Sequence, residues 1–194
     1  MLRKIGLRFY DSSVRGCKES ILKLLEENPQ AKLLDCGCDN GEFTVEQAKT
    51  IGTCKVYGIE INEKNCEEAK RKGIKVYNRD LNIKLPIRSS SIDVIIANQV
   101  IEHLHDTDTF VKEIYRILKP KGYSIISTNN LAAWHNITAL LLGKQPFPSD
   151  ICSDPSIGKL FALWAGDAGS FSHLRIFAYY GLRELFENYG FKVE

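Results

Sequence analysis

The stretch from Lys32 to Phe43, Lys-Leu-Leu-Asp-Cys-Gly-Cys-Asp-Asn-Gly-Glu-Phe, constrains this chain more than any other. The apolar run from Ala31 to Cys36 has the length and composition of a buried strand. The Asp-x-Gly-x-x-x-Gly pattern that follows is a tight turn feeding a helix over Glu42 to Ile51. Strand, glycine turn and helix together make the opening unit of a nucleotide-binding α/β domain. Glycines at such a turn let backbone N–H groups approach a ligand at a helix N-terminus with no Cβ in between.

What the turn can hold depends on its charge. A dinucleotide rests its pyrophosphate on Gly-x-Gly-x-x-Gly. Here Asp39 and Glu42 stand at the second and third glycine positions counted from Gly37, and two carboxylates repel a pyrophosphate. The same acidity suits a ligand that carries an ammonium and a sulfonium, as S-adenosylmethionine does.

These residues resemble motif I of the class I, Rossmann-like, S-adenosylmethionine-dependent methyltransferases, whose usual form is Leu-Asp-x-Gly-Cys-Gly-x-Gly. Asp39 is the one departure, at the middle glycine, and aspartate tolerates left-handed backbone angles better than most residues. The resemblance implies an α/β fold with a three-layer, doubly wound, mostly parallel sheet that the family closes with an antiparallel seventh strand, so that this sequence, ending as its sixth strand begins, is either a truncated version or a departure from that fold. It also implies that Asp35, Gly37, Cys38, Asp39 and Gly41 line the cofactor.

The chain continues in the same alternation. Cys54 to Glu60 is a second strand that ends on an acid, about 20 residues past the glycine turn, where a ribose diol can be gripped by both carboxylate oxygens. Glu60 is the expected ribose ligand, and the resemblance places Ile61 against the adenine face. Asn62 caps a helix over Glu63 to Lys72, which Gly73 ends. Ile74 to Asn78 is the third strand. By resemblance Asp80 accepts from the adenine amino group and the Leu81 N–H meets a ring nitrogen; the alternative is that Asp80 only shapes a turn.

Ser91 to Asn98 is a fourth strand, apolar enough to be buried on both faces, and Asn98 at its end belongs with the cofactor residues. Gln99-Val100-Ile101-Glu102-His103-Leu104 resembles the Val-Leu-Glu-His-Leu signature of a small-molecule branch of the family. His103 is then either a proton acceptor for the substrate or a structural histidine, and both readings stand. A helix over Thr109 to Leu118, a break at Lys119-Pro120-Lys121-Gly122 and a fifth strand over Tyr123 to Thr128 follow.

Residues 1 to 30 hold a helical arm whose amphipathic helix has Ile21, Leu24 and Leu25 on one face; ahead of that helix, Phe9-Tyr10-Asp11 either resembles the Tyr-Asp segment that folds over the cofactor in the family or is a loosely packed arm. Residues 129 to 172 interrupt the alternation as a lid or substrate insertion, with an apolar helix over Leu131 to Leu142 and a second apolar patch at Leu160 to Trp164. These apolar residues fit a substrate pocket, a homodimer contact or a lipid-linked substrate alike. The wording around Trp134 and Gln145-Pro146 resembles methyltransferases of glycan and lipid-linked sugar pathways. Beyond the insertion, His173 and Arg175 are candidate substrate contacts, with Arg175 also readable as a plain salt-bridge partner. A helix over Tyr179 to Tyr189 leads to the start of a sixth strand at Phe191 to Glu194.

Composition narrows the class. A chain of 194 residues with net charge +2 holds one domain and has no electrostatic argument for nucleic acid. No Asn/Asp-Pro-Pro-aromatic tetrapeptide follows the fourth strand, as a nucleic-acid methyltransferase would require. The six cysteines show no Cys-x-x-Cys spacing, so neither a thiolate zinc site nor a disulfide framework is indicated, and no metal site is expected. No apolar run is long enough for a signal peptide or a membrane span, which points to a cytoplasmic protein with reduced thiols. The expected activity is methyl transfer from S-adenosylmethionine, yielding S-adenosylhomocysteine, to a small-molecule or glycan/lipid-linked acceptor. A non-catalytic cofactor-binding partner subunit and an NAD-dependent oxidoreductase are the rival readings.

Overall fold

The computed structural model describes residues 2–152, 157–159 and 173–194, with side chains from residue 12 onward. The expected apolar patch at Leu160 to Trp164 lies outside them. Five strands, β1 (Lys32–Cys36), β2 (Lys55–Glu60), β3 (Lys75–Asn78), β4 (Ile92–Asn98) and β5 (Leu118–Ser127), form one sheet in the order β3-β2-β1-β4-β5. All neighbours pair in parallel. The order reverses between β1 and β4, and in open parallel sheets ligands bind at such a point, outside the carboxyl ends of the strands.

The central strands are apolar throughout because both sheet faces are covered. On one face Leu33, Val94 and Ile96 pack against Ile21 of α1 (Leu2–Lys23) and Ala48 and Ile51 of α2 (Glu42–Ile51). α3 (Glu63–Arg71) adds Cys66 and Ala69 to that side. On the other face Leu34, Cys36, Ile95 and Ala97 pack against Phe110, Val111, Ile114 and Ile117 of α4 (Thr107–Ile117) and Phe186 of α6 (Tyr179–Asn188). Helix, sheet and helix layers follow.

Helix starts obey their capping residues. Asn62 accepts from the Asn65 N–H at 3.2 Å and Asp106 from the Thr109 N–H at 2.8 Å. Asn62→Ala is expected to lower stability by about 1 kcal/mol, read as a shifted urea midpoint at unchanged slope.

Four sequence expectations need correction. Phe9 to Asp11 does not precede the first helix but lies inside it, since α1 runs unbroken from Leu2 to Lys23. Leu24 falls just past that helix end and is 62% exposed instead of joining the apolar face. The Lys119-Pro120-Lys121-Gly122 break does not precede β5 but bulges within it. Ile92 pairs with Leu118 while Val94 pairs with Tyr123, and Lys121 takes a positive φ of 68°. No strand forms over residues 191–194: Phe191 N–H bonds back to the Phe186 carbonyl, and its ring packs edge-on against Phe186 and Tyr115.

The insertion helix α5 (Trp134–Leu141) is shorter than the expected 131–142 span and turns its large apolar side chains outward. Its buried residues are Asn136 and Ala139, while Trp134 and Leu141 are 79% and 82% exposed. The Asn136 amide donates to the Asn130 carbonyl and accepts from the Phe147 N–H, so hydrogen bonding to neighbouring loops sets which face turns inward.

Candidate active site

Parallel register brings the strand ends to one rim: Cys36 opposite Ile59, Glu60 opposite Asn78, and Asn98 opposite Ser127. The glycine turn rises from it. Gly37 and Gly41 have φ of 74° and 81°, and a Cβ at Gly37 would stand 2.6 Å from Val100 Cγ2. Only glycine fits that left-handed close approach. Asp39 also lies in the left-handed region, at φ 48°, and its carboxylate is tied to Asn65 Nδ2 of α3 at 2.5 Å. Replacing the usual middle glycine is therefore accommodated by a conformation aspartate tolerates and by a hydrogen bond out of the turn.

Glu60 is held by backbone on both sides. The Asp39 N–H donates to Oε2 at 3.0 Å and the Asn62 N–H to Oε1 at 2.8 Å. A carboxylate offers about four acceptor positions, so two stay available while the group's orientation is set. Asn78 Nδ2 bonds the Glu60 and Ile61 carbonyls at 3.1 and 2.8 Å, which shapes the loop carrying Ile61, itself 67% exposed at the rim. Asp80 Oδ1 accepts from the Asn82 N–H and Nδ2, so it does shape a turn, and the Leu81 side chain is buried in the core.

Other predicted residues sit behind the rim. The Cys38 side chain is buried against Ala69 and Ile74, leaving its backbone to the turn, and burial pushes its thiol pKa up. Asn98 Oδ1 accepts from Ser127 Oγ at 2.6 Å and from Cys17 Sγ at 3.5 Å, joining β4 to β5 and α1. Asp35 is buried beneath the turn and accepts from Thr44 Oγ1 at 2.6 Å. Burial is the main reason its pKa rises from 3.8 to about 7; the Glu60 charge adds to the rise and the Thr44 hydrogen bond opposes it. The Gln47 amide, fully buried one turn along α2, also holds the Asp35 pKa down, although neither of its polar atoms is in full hydrogen-bond geometry with a described partner.

The segment 173–175 closes over the short turn Ile101–His103. Leu174 and Arg175 N–H groups both donate to the Glu102 carbonyl, at 2.9 and 3.3 Å. Arg175 is not a salt-bridge partner among the described residues: its guanidinium donates to the Leu104 and His105 carbonyls. His103 and His173 rings stand 4.8 Å apart, tilted by 40°. His173 Nδ1 lies 2.8 Å from the Pro148 carbonyl oxygen and Nε2 3.5 Å from Asn129 Nδ2. The Tyr10 side chain is outside the described ones.

Glu102 was passed over in the sequence. It is fully buried, with Oε2 accepting from Thr128 Oγ1 at 2.9 Å and Oε1 lacking a partner among the described residues. Burial raises its pKa. The available signal was an acid wedged among Val100, Ile101 and Leu104, where a carboxylate is costly unless something holds it.

A family model described as a methyltransferase domain matches residues 8–194. The chain belongs to this methyltransferase family. Sequence relatives of the domain include a ubiquinone biosynthesis O-methyltransferase of Pelagibacter ubique (strain HTCC1062), 31% identical over 127 residues, 60% of this chain and 52% of that one. A demethylmenaquinone methyltransferase of Lactobacillus johnsonii is 30% identical over 116 residues, covering 55% of this chain and 47% of that one. The methyltransferase chain thus spans about half the length of these curated relatives. An S-adenosylmethionine-dependent methyltransferase from Thermotoga maritima has the same fold, with a TM-score of 0.65 at 20% identity over 96% of this chain and 79% of that one. Membership in the family sets aside the nicotinamide-cofactor reading, in line with the acidic turn.

Proposed function

We propose that this domain transfers a methyl group from S-adenosylmethionine to a nucleophilic atom of a small-molecule acceptor. The observation that carries this reading is the Glu60 carboxylate, braced by two backbone N–H groups with acceptor positions left for a ribose diol. Gly37, Asp39, Gly41 and the Cys38 backbone would hold the methionine portion, with Asp35 and Asn98 supporting them from behind. Ile61, Asp80 and the Leu81 N–H would hold adenine. When bound, the cofactor supplies a methyl group already activated on a sulfonium. The chain's own work is accordingly to orient the acceptor, exclude water and accept one proton.

His103 is proposed as the proton acceptor, with His173 beside it, while Arg175 positions both by pinning the 173–175 segment to the turn. Tyr10 on α1 is proposed for the acceptor side. Two relatives are named for ubiquinone and menaquinone compounds, which favours a small-molecule acceptor, the glycan/lipid-linked class remaining the narrower variant of this proposal. A cytoplasmic location is part of this proposal.

Calorimetry with S-adenosylhomocysteine and transfer of a labelled methyl from S-adenosylmethionine into a cell extract test the proposal. The product is expected to bind, and the label to enter the low-molecular-weight fraction. Binding without transfer to any component would instead make the chain a non-catalytic partner subunit.

A further inference from the structure

We infer that Glu102, His103 and His173 form a binding site for one divalent first-row transition-metal cation at the acceptor side of the rim. One ligand atom from each residue lies within 4.8 Å of the others. Two imidazoles and a carboxylate suit zinc, manganese, iron or cobalt, whereas magnesium and calcium prefer oxygen alone. In a tetrahedral site with bonds of about 2.1 Å the ligand atoms stand roughly 3.4 Å apart. The widest spacing therefore needs to contract by about 1.4 Å, within reach of side-chain rotation.

Two independent features point to a cation here. The first is the Glu102 Oε1 atom, buried and without a partner among the described residues, while Thr128 orients the other oxygen. An orphaned carboxylate oxygen costs free energy that a bound cation would recover. The second is the environment of His173. Its Nδ1 faces the Pro148 carbonyl at 2.8 Å, and a proton there leaves the Nε2 lone pair as the ligand. Metal-binding histidines are set in this way by a carbonyl or carboxylate on the far nitrogen. The nearest competitor, Asn129 Nδ2 at 3.5 Å, is at the limit of a hydrogen bond.

The backbone supports the same grouping, since the Glu102 carbonyl receives both the Leu174 and the Arg175 N–H. His173 is thereby delivered to a turn from which it is distant in sequence, and no local spacing flags the cluster. A protonated His173 paired with Glu102 is the competing arrangement, and it takes up no cation.

The site rests on and revises the proposed methyl transfer: with a cation bound, the His103 lone pair is taken up as a ligand, and the cation would instead lower the pKa of an acceptor oxygen held there; its occupancy does not require the donor to be bound. The test uses untagged full-length chain stripped with chelator and titrated with Co²⁺, followed by visible absorption and by calorimetry, with Zn²⁺ as competitor. One Co²⁺ per chain is expected, with bands free of thiolate charge transfer. His173→Ala and His103→Ala are each expected to weaken uptake at least about tenfold, and Cys152→Ser to leave it unchanged. S-adenosylhomocysteine binding by each variant reports an intact fold and, separately, the donor site. No stoichiometric uptake, uptake retained in both histidine variants, or uptake lost in Cys152→Ser would overturn the inference while leaving the donor site standing.

Discussion

Asp35→Asn is expected to gain on the wild type as pH rises, by about 3 kcal/mol between pH 5 and pH 8. Asp35 ionises near 3.8 in the unfolded chain and at about 7 in the folded one. Across that interval the folded state holds one more proton, so wild-type stability falls with rising pH and the loss is complete above the folded value. Asparagine keeps the shape and an acceptor for Thr44 Oγ1 but has no proton to lose. The cause is burial under the glycine turn, where a charged carboxylate loses water and the Thr44 and Gln47 side chains offset only part of that cost. Urea unfolding of both proteins across this range gives the comparison. Parallel stability profiles would show that Asp35 ionises normally and that the turn is better hydrated than its packing implies.

Glu60→Ala is expected to weaken S-adenosylhomocysteine binding by about 1–3 kcal/mol, roughly 5- to 150-fold in Kd. Two effects combine. The ribose loses its carboxylate, and the Asp39 and Asn62 N–H groups lose the oxygens that hold the turn and the α3 entrance in place. Glu60→Gln separates them, because the amide oxygen still receives one of those N–H groups while the charge is gone. An intermediate loss is expected for it. Titration calorimetry at one ionic strength measures all three proteins, and unchanged affinity in Glu60→Ala would place the ribose elsewhere on the rim.

How much of this was legible beforehand differs between strand ends and loops. The glycine turn, the acid closing β2 and the asparagine cap of α3 are set by local chemistry: a left-handed backbone, a parallel strand that must stop, an orphaned helix N–H. Each can be recognised from neighbouring residues. The departure at Asp39 was visible too, yet its accommodation needed Asn65 from the next helix. The orientation of the insertion helix could not be read from the sequence, because an apolar helix pattern says which side chains share a face and not which face is buried. Asn136 decided that through hydrogen bonds to two loops. The salt-bridge reading of Arg175 failed for a related reason, since a guanidinium finds carbonyl partners as readily as carboxylates where a turn ends, as it does at Leu104 and His105.

By itself the sequence determined a parallel α/β sheet with its ligand rim, because alternating buried strands and amphipathic helices admit few arrangements and glycine spacing marks where the backbone must come close. It also determined Glu60 as the acid of that rim. Only the tertiary structure decided that His173 returns to stand beside His103 over a buried Glu102, and that Asp35 lies dry beneath the turn. Such contacts join residues far apart along the chain, and burial of a charge depends on the packing of every layer around it.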